Sequence, residues 1–356
     1  MELFNFYKSI LPILIFTAGL NSLAADRFSV KNWQENLSTT LKTKNVAAMS
    51  KAIETDDLQK SIIKNCSDCK NKELMKTARD LFAKGNYEEA RAVYNNINKK
   101  SDYWLESIEE KGWTYFRQNQ FDAVLAQTKT LLSSPFNEYV RSEAYLLQSL
   151  SHLKVCDYKN LFLTNSLFKE KMKRRLLAIQ KLSESGMNDS FLQFISKDSH
   201  FPLKLEDIGS LANDLPYLFF KDTELQEELF KYKTSQAALI VLSQSSDVQL
   251  RTLQKKLETK KLIAAKNLKI RMQKLATQET EENFKIVQKL NLVEVEGIQR
   301  LHFDMDLDQK LFNKEKFKET TVDQMVFVDD GRPWIDELDK YEVRSKYCPQ
   351  NIRRKM

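Results

Sequence analysis

Turn-forming residues are scarce in this 356-residue chain, which holds seven Gly and six Pro, with no Pro between Pro216 and Pro333. Strand-rich folds need a turn residue every few positions, so the scarcity excludes them and leaves long helices. Histidine is rarer still: His152, His200 and His302 stand far apart, and His152 falls inside a helical apolar pattern as a packed core residue would. There is no Gly-x-Ser-x-Gly elbow, no His-Glu-x-x-His zinc helix and no Gly-Lys-Ser/Thr phosphate loop. The chain therefore reads as a non-enzyme with no catalytic residues, no cofactor and no metal site. Beyond residues 10–20 no segment is apolar enough to cross a membrane.

Hydrophobic residues make up 42% of the chain, enough for one or two real cores, which excludes a disordered protein. The apolar run at residues 10–20 follows Lys8 and precedes Ser22, Leu23 and Ala24. It is short for a bilayer span and ends in small residues suited to cleavage before Ala25, so residues 1–24 read as a signal peptide. No Cys stands near that site to carry a lipid anchor. The expected location is periplasmic or outer-membrane associated. Cleavage removes Glu2 and Lys8, which cancel, so the mature chain keeps the formal charge of +7. Outside the cytoplasm that charge points away from nucleic acid and toward an anionic glycan, a lipid surface or an acidic protein. The plain alternative is a solvated, lysine-rich helical surface.

Four cysteines, Cys66, Cys69, Cys156 and Cys348, allow three connectivities, and export favours pairing. The favoured set joins Cys66 to Cys69, which are sequence neighbours, and Cys156 to Cys348, which pins the C-terminal tail. A redox role for the first pair would need a preceding strand, and the sequence shows no strand pattern there. A four-Cys zinc site would need a second ligand-like spacing.

Trp33, Leu37, Leu41, Val46, Met49, Ile53 and Ile62 recur at helical spacing, and these helices are expected to shield the N-terminal end of a helical stack beyond them. Next, Tyr87 and Phe121 stand 34 residues apart, each after a short turn and before a helix. Ala78, Leu81, Gly85, Tyr87, Ala90 and Tyr94 form one copy; Gly112, Tyr115, Phe121 and Leu131 form the next, ended by Pro135. A third copy, with Ala144, Tyr145, Leu150, Leu153 and Tyr158, fits when its loop is lengthened to give 37 residues from Phe121 to Tyr158.

This register resembles the tetratricopeptide repeat. The resemblance implies an all-α, helical solenoid over residues 25–182 that serves as a scaffold for protein–protein interaction in the envelope of Gram-negative bacteria. Partners would dock in a concave groove lined by the first helix of each repeat. Arg79, Phe82, Glu109, Trp113, Phe116, Arg117, Leu146 and Leu150 would face it, with Trp113, Phe116 and Arg117 as anchors. The alternative for the aromatics is packing within the stack.

Between residues 183 and 216 Ser, Asn, Gly and Pro break the period, which reads as a linker. The remainder, 217–356, is expected as a basic helical domain and a further contact surface. One helix covers 224–242, and Ser246 opens a capping pattern for the next. Leu250, Leu253, Leu257, Ala264, Leu268, Met272 and Leu275 trace an apolar stripe continued by Phe284, Val287 and Leu290, as one arm of a long antiparallel hairpin. Its polar face carries Arg251, Lys255, Lys256, Lys260, Lys266, Lys269, Arg271 and Lys274. Asp329-Asp330-Gly331 after a β-prone run predicts a tight turn, and Trp334, Leu338 and Tyr341 a tail clasp. Asp304, Asp306, Asp308 and Glu315 have calcium-loop spacing, but Gln309 stands where the loop needs Gly, so an acidic helix end is expected. The alternative function is a cell-wall glycan-binding or glycan-cleaving envelope protein. It is similar to helical transglycosylases, which carry a lysozyme-like domain not expected here.

Overall fold

The computed structural model describes residues 27–43, 45–54, 68–134, 136, 139–197, 200–245, 247–303, 338–344 and 348. Outside them lie the expected signal peptide, Ile62, Cys66, Pro135, the calcium-like spacing from Asp304 to Glu315, the Asp329–Gly331 turn and Trp334. The described chain is all-α. Its helices are α1 Val30–Lys42, α2 Val46–Ile53, α3 Cys69–Ala83, α4 Tyr87–Tyr94, α5 Trp104–Arg117, α6 Phe121–Leu131, α7 Ser142–Lys154, α8 Tyr158–Lys171, α9 Lys173–Ser185, α10 Asp189–Ile195, α11 Thr223–Leu242 and α12 Val248–Phe303. A helical turn, Leu205–Ile208, and a 3-10 segment, Gly209–Asp214, precede α11. Two short strands, β1 Phe28–Ser29 and β2 His200–Phe201, pair antiparallel with Phe28 opposite Phe201. Side chains of Ser29, Asn45, Asp157, Asn188 and Asp222 accept a backbone N–H at the starts of α1, α2, α8, α10 and α11. Each cap satisfies one of the donors that a helix start leaves open.

Residues 69–171 form three successive helical hairpins, α3/α4, α5/α6 and α7/α8, each packed on the next. All three close by the same device. Asn86, Gln120 and Asp157 donate their N–H to the carbonyls of Leu81, Tyr115 and His152, and the residues just before them, Gly85, Asn119 and Cys156, have φ of 82°, 58° and 59°. This six-to-one bond over a left-handed residue terminates a helix and aims the chain back along it. Glycine meets that φ without strain at Gly85. Gly112 serves a different need: a Cβ there would lie 2.7 Å from Leu147 Cδ2, so α5 and α7 approach closely because that side chain is absent.

The N-terminal helices do not shield the first hairpin. Leu37, Met49 and Ile53 pack with Ala238, Val241 and Leu242 of α11 and Leu250 and Leu257 of α12, while β1 fixes Phe28 beside Phe201. The cause lies in α11, whose buried residues run from Leu225 and Leu229 through Phe230 to Ala237 and Ala238 around most of its circumference. One neighbour cannot cover such a helix, and α1 with α2 cover the side that α12 leaves open.

Residues 183–216 are packed as well. Met187, Leu192, Ile195, Phe201, Leu203 and Leu215 belong to the largest apolar cluster among the described residues, with Phe219, Leu229, Leu268 and Met272. Their broken period reflects irregular backbone, and these six side chains are all buried. α12 is one 56-residue helix, about 84 Å long at the usual rise. It packs on α11 and α2, then on α9, and toward its end on α7 and α8. No helix of the described residues is long and apolar enough to cross a membrane.

The tail returns to the hairpins. Leu338 is buried in the cluster of Trp104, Ile108 and Leu131, Lys111 pairs with Asp339 at 2.5 Å, and the Asp339 N–H donates to Thr130 Oγ1 at 3.1 Å. Lys129 lies over the Tyr341 ring. Cys156 and Cys348 form a disulfide, and Cys69 is disulfide-bonded too.

Candidate functional site

The first helices of the hairpins face α12 across a cavity of about 660 Å³. Arg79 and Phe82 of α3, Glu110, Trp113 and Arg117 of α5, and Ser142, Glu143 and Leu146 of α7 form one wall. Tyr217 with Glu279, Glu282, Asn283, Lys285, Ile286 and Lys289 of α12 forms the other. The chain's own long helix thus stands on the side that an open groove would leave free, and a half-open cleft remains.

A charge network fixes the walls. Arg79 Nε and Nη2 donate to both Glu110 oxygens at 2.7–3.0 Å, and its Nη2 donates to Glu106 at 2.9 Å. Tyr94 donates its hydroxyl to Glu110 at 2.8 Å. Lys221 donates to the other Glu106 oxygen at 2.6 Å. Across the cavity, Arg175 donates to Glu279 Oε1, the Tyr217 N–H to Glu279 Oε2 and the Tyr217 hydroxyl to Glu282. Ser142 donates to Asn283 Oδ1 at 2.6 Å, and the Arg141 guanidinium lies over the Tyr217 ring. Burial would raise Glu106, but Lys221, Arg79 and Arg141 outweigh it and hold the carboxyl below its usual range. Burial together with Glu110 raises Tyr94.

Three carboxylates of the cavity are ion-paired, Glu110 to Arg79, Glu143 to Arg141 and Glu279 to Arg175, while Glu282 accepts from the neutral Tyr217 hydroxyl and Gln278 amide. The cations are in excess. Among the described residues Arg117, Lys285 and Lys289 have no ion-pair partner, and the buried Trp113 Nε1 has no hydrogen-bond partner. The cavity so combines open positive charge and a spare donor with the apolar surfaces of Phe82, Leu146 and Ile286.

Of the groove residues expected from the sequence, Arg79, Phe82, Trp113, Arg117 and Leu146 meet in this cavity. Phe116 instead stacks edge-on with Trp113 and Phe121, at ring centroid distances of 5.5 and 5.6 Å. Leu150 packs with Tyr145, Leu153 and Phe168 between α7 and α8. Glu109 is 3% exposed and lines a second cavity of about 350 Å³ beside Trp104, Tyr217 and Phe220. Arg141 Nη2 comes within 2.9 Å of Glu109 Oε1, yet it points at Glu143 Oε2, 2.6 Å away, and Glu109 Oε1 is left without a hydrogen bond. Burial, opposed by Arg141 and reinforced by Glu143, Glu106 and Glu110, pushes Glu109 up to about 8. One carboxyl held low beside another pushed high is the pattern of an acid–base pair. Here, however, Glu106 gives its oxygens to Lys221 and Arg79, and Glu109 is sealed from the solvent.

Tyr217, Arg141, Lys285 and Lys289 are among the site residues that sequence reasoning missed. One signal was present: Glu279 and Asn283 continue the apolar line of Leu275 and Ala276, and polar residues on a buried face imply partners across it. Comparison with protein-family models, with curated proteins and with solved structures finds no match to this chain.

Proposed function

We propose that the chain is an exported scaffold of the tetratricopeptide type that mediates protein–protein interaction in the bacterial cell envelope. A partner's short acidic segment enters the cavity between α3, α5, α7 and α12. The observation that carries this reading is the imbalance in that cavity, where Glu282 alone of the carboxylates lacks a cation while Arg117, Lys285 and Lys289 are all open. Trp113 and Phe82 supply the apolar contact that makes aromatic and Arg side chains strong anchors. The repeat reading is supported by the shared closing turns, with second helices beginning at Tyr87, Phe121 and Tyr158. Export is supported by the Cys156–Cys348 disulfide, since such bonds persist in oxidising compartments.

The test is affinity capture from crosslinked envelope, with the mature chain beside a Trp113→Ala, Arg117→Ala variant and a Lys285→Glu, Lys289→Glu variant. One or two envelope proteins held by the parent and lost from both variants are expected. Capture unchanged in both variants defeats the cavity as the docking site. Capture of cell-wall glycan with no protein would favour the glycan-binding alternative.

A further inference from the structure

Among the described residues nothing packs on one face of α12, which is both apolar and basic. Leu262, Leu292 and Phe284 are 71%, 69% and 63% exposed, and Ile263, Ile270 and Val295 are more than half exposed. At the α-helical period these six side chains fall within about a third of the helix circumference. The opposite face, carrying Ala264, Leu268, Met272, Leu275 and Leu290, is buried. α11, α9, α7 and α8 all pack on α12. Interleaved with the bare apolar side chains are Arg251, Lys255, Lys256, Lys266 and Lys274, all exposed and without an ion pair. The fully exposed carboxylates on the helix are Glu258 and Glu281, and the part-exposed Glu296 is paired to Arg300.

We propose that this face of α12 docks on the surface of an anionic lipid bilayer, lying in the interface plane with Leu262, Ile270, Phe284 and Leu292 inserted between headgroups. Large apolar side chains flanked by lysines are what such a surface recognises: the aliphatic and aromatic groups leave water, and the cations meet the lipid phosphates. A polyanionic glycan would satisfy the lysines but leave Leu262, Phe284 and Leu292 in water. A second copy of the chain would bring the same five cations face to face, a repulsion that an apolar seam this sparse does not offset. The surface is separate from the cavity, so this inference stands or falls independently of the scaffold reading.

The test is flotation of the chain beginning at Ala25, which keeps every described element, with phosphatidylcholine vesicles made with and without phosphatidylglycerol. The parent chain is expected to float with the anionic vesicles alone, and less at high salt. Lys266→Glu with Lys274→Glu, and separately Phe284→Ser with Leu292→Ser, should each lower partitioning by about ten-fold or more. All four positions are exposed, so circular dichroism of the variants should match the parent. Absence of flotation, equal flotation with neutral vesicles, or variants that float like the parent would each overturn the proposal. Flotation that survives the serine pair and fails with the glutamate pair would mark a polyanion site in place of a bilayer site. A parent dimer that the serine pair converts to monomer in sedimentation would assign the face to a second copy.

Discussion

Glu109 shows how far one side chain departs from what its position in a helix foretells. At sequence level it is one of the residues expected to face an open groove; in the fold it is sealed beside Arg141 and three other carboxyls, and its proton is held up to about 8 against an ordinary value of 4.5. A carboxyl raised on folding favours the folded chain fully below its unfolded value and loses that contribution as pH climbs through the folded one. Glu109 should thus weaken the protein progressively between about pH 4.5 and 8. Glu106, held down by Lys221, Arg79 and Arg141 against burial, acts oppositely: its contribution is present above the ordinary range and lost in acid. Thermal midpoints of the parent should fall from about pH 6 to about pH 9, and those of Glu109→Gln should stay flatter. At the alkaline end the variant should be the more stable, by on the order of 2 kcal/mol. Parallel curves for the two proteins would mean that Glu109 is ionised in the fold as Arg141's partner. Glu279 makes the complementary case. It is 4% exposed and takes bonds from Arg175 and the Tyr217 N–H, so Glu279→Ala should cost about 3–5 kcal/mol in urea unfolding by stranding a buried guanidinium. A loss below about 1 kcal/mol would place the pair among exposed, weakly coupled ones.

At the scale of the element, the repeating unit is the turn as much as the helix. Gly85, Asn119 and Cys156 occupy equivalent left-handed positions, and the following N–H reaches back five residues each time. If that conformation is what joins each hairpin, Asn119→Gly should change unfolding free energy by no more than about 0.5 kcal/mol, whereas Asn119→Val should cost about 2 kcal/mol. Equal effects of the two substitutions would show that the turn tolerates a right-handed alternative. The same position explains what was legible beforehand. The first two hairpins could be read because Gly85 marks the turn and Tyr87 and Phe121 keep register. The third needed a lengthened loop because Phe121 to Tyr158 spans 37 residues, and it was further hidden because Cys156 fills a place where sequence reasoning looks for Gly or Asn. The stripe from Leu250 to Leu290 was legible as helix, but its passage across the candidate site was not. There Glu279 and Asn283 replace apolar residues on the buried face, and their partners, Arg175, Tyr217 and Ser142, lie far away in sequence.

At the scale of the whole molecule, composition divides the chain near residues 183–216 while packing does not. α1 and α2 begin the chain yet pack on α11 and α12. The supposed connection supplies Phe201, Leu203 and Leu215 to the largest cluster. α12 lies against helices from both halves, and the tail is tied back by Leu338, the Lys111–Asp339 pair and the disulfide at Cys156. Local sequence windows cannot register such contacts, because most of them join segments more than a hundred residues apart. Two independent units would melt in two steps, whereas elements that share buried surface open together. Scanning calorimetry of the chain from Ala25 should therefore give one transition, with a calorimetric enthalpy close to the van't Hoff value. Two resolved peaks would show that the interface between α12 and the α7/α8 hairpin is too weak to couple the halves. Cys348→Ser should keep the transition single but lower it by about 2–4 kcal/mol, since the bond it removes closes a loop of 192 residues and limits the unfolded chain. If the variant instead splits the transition, the tail is what welds the hairpins to the long helix, and the packing along α12 alone is insufficient.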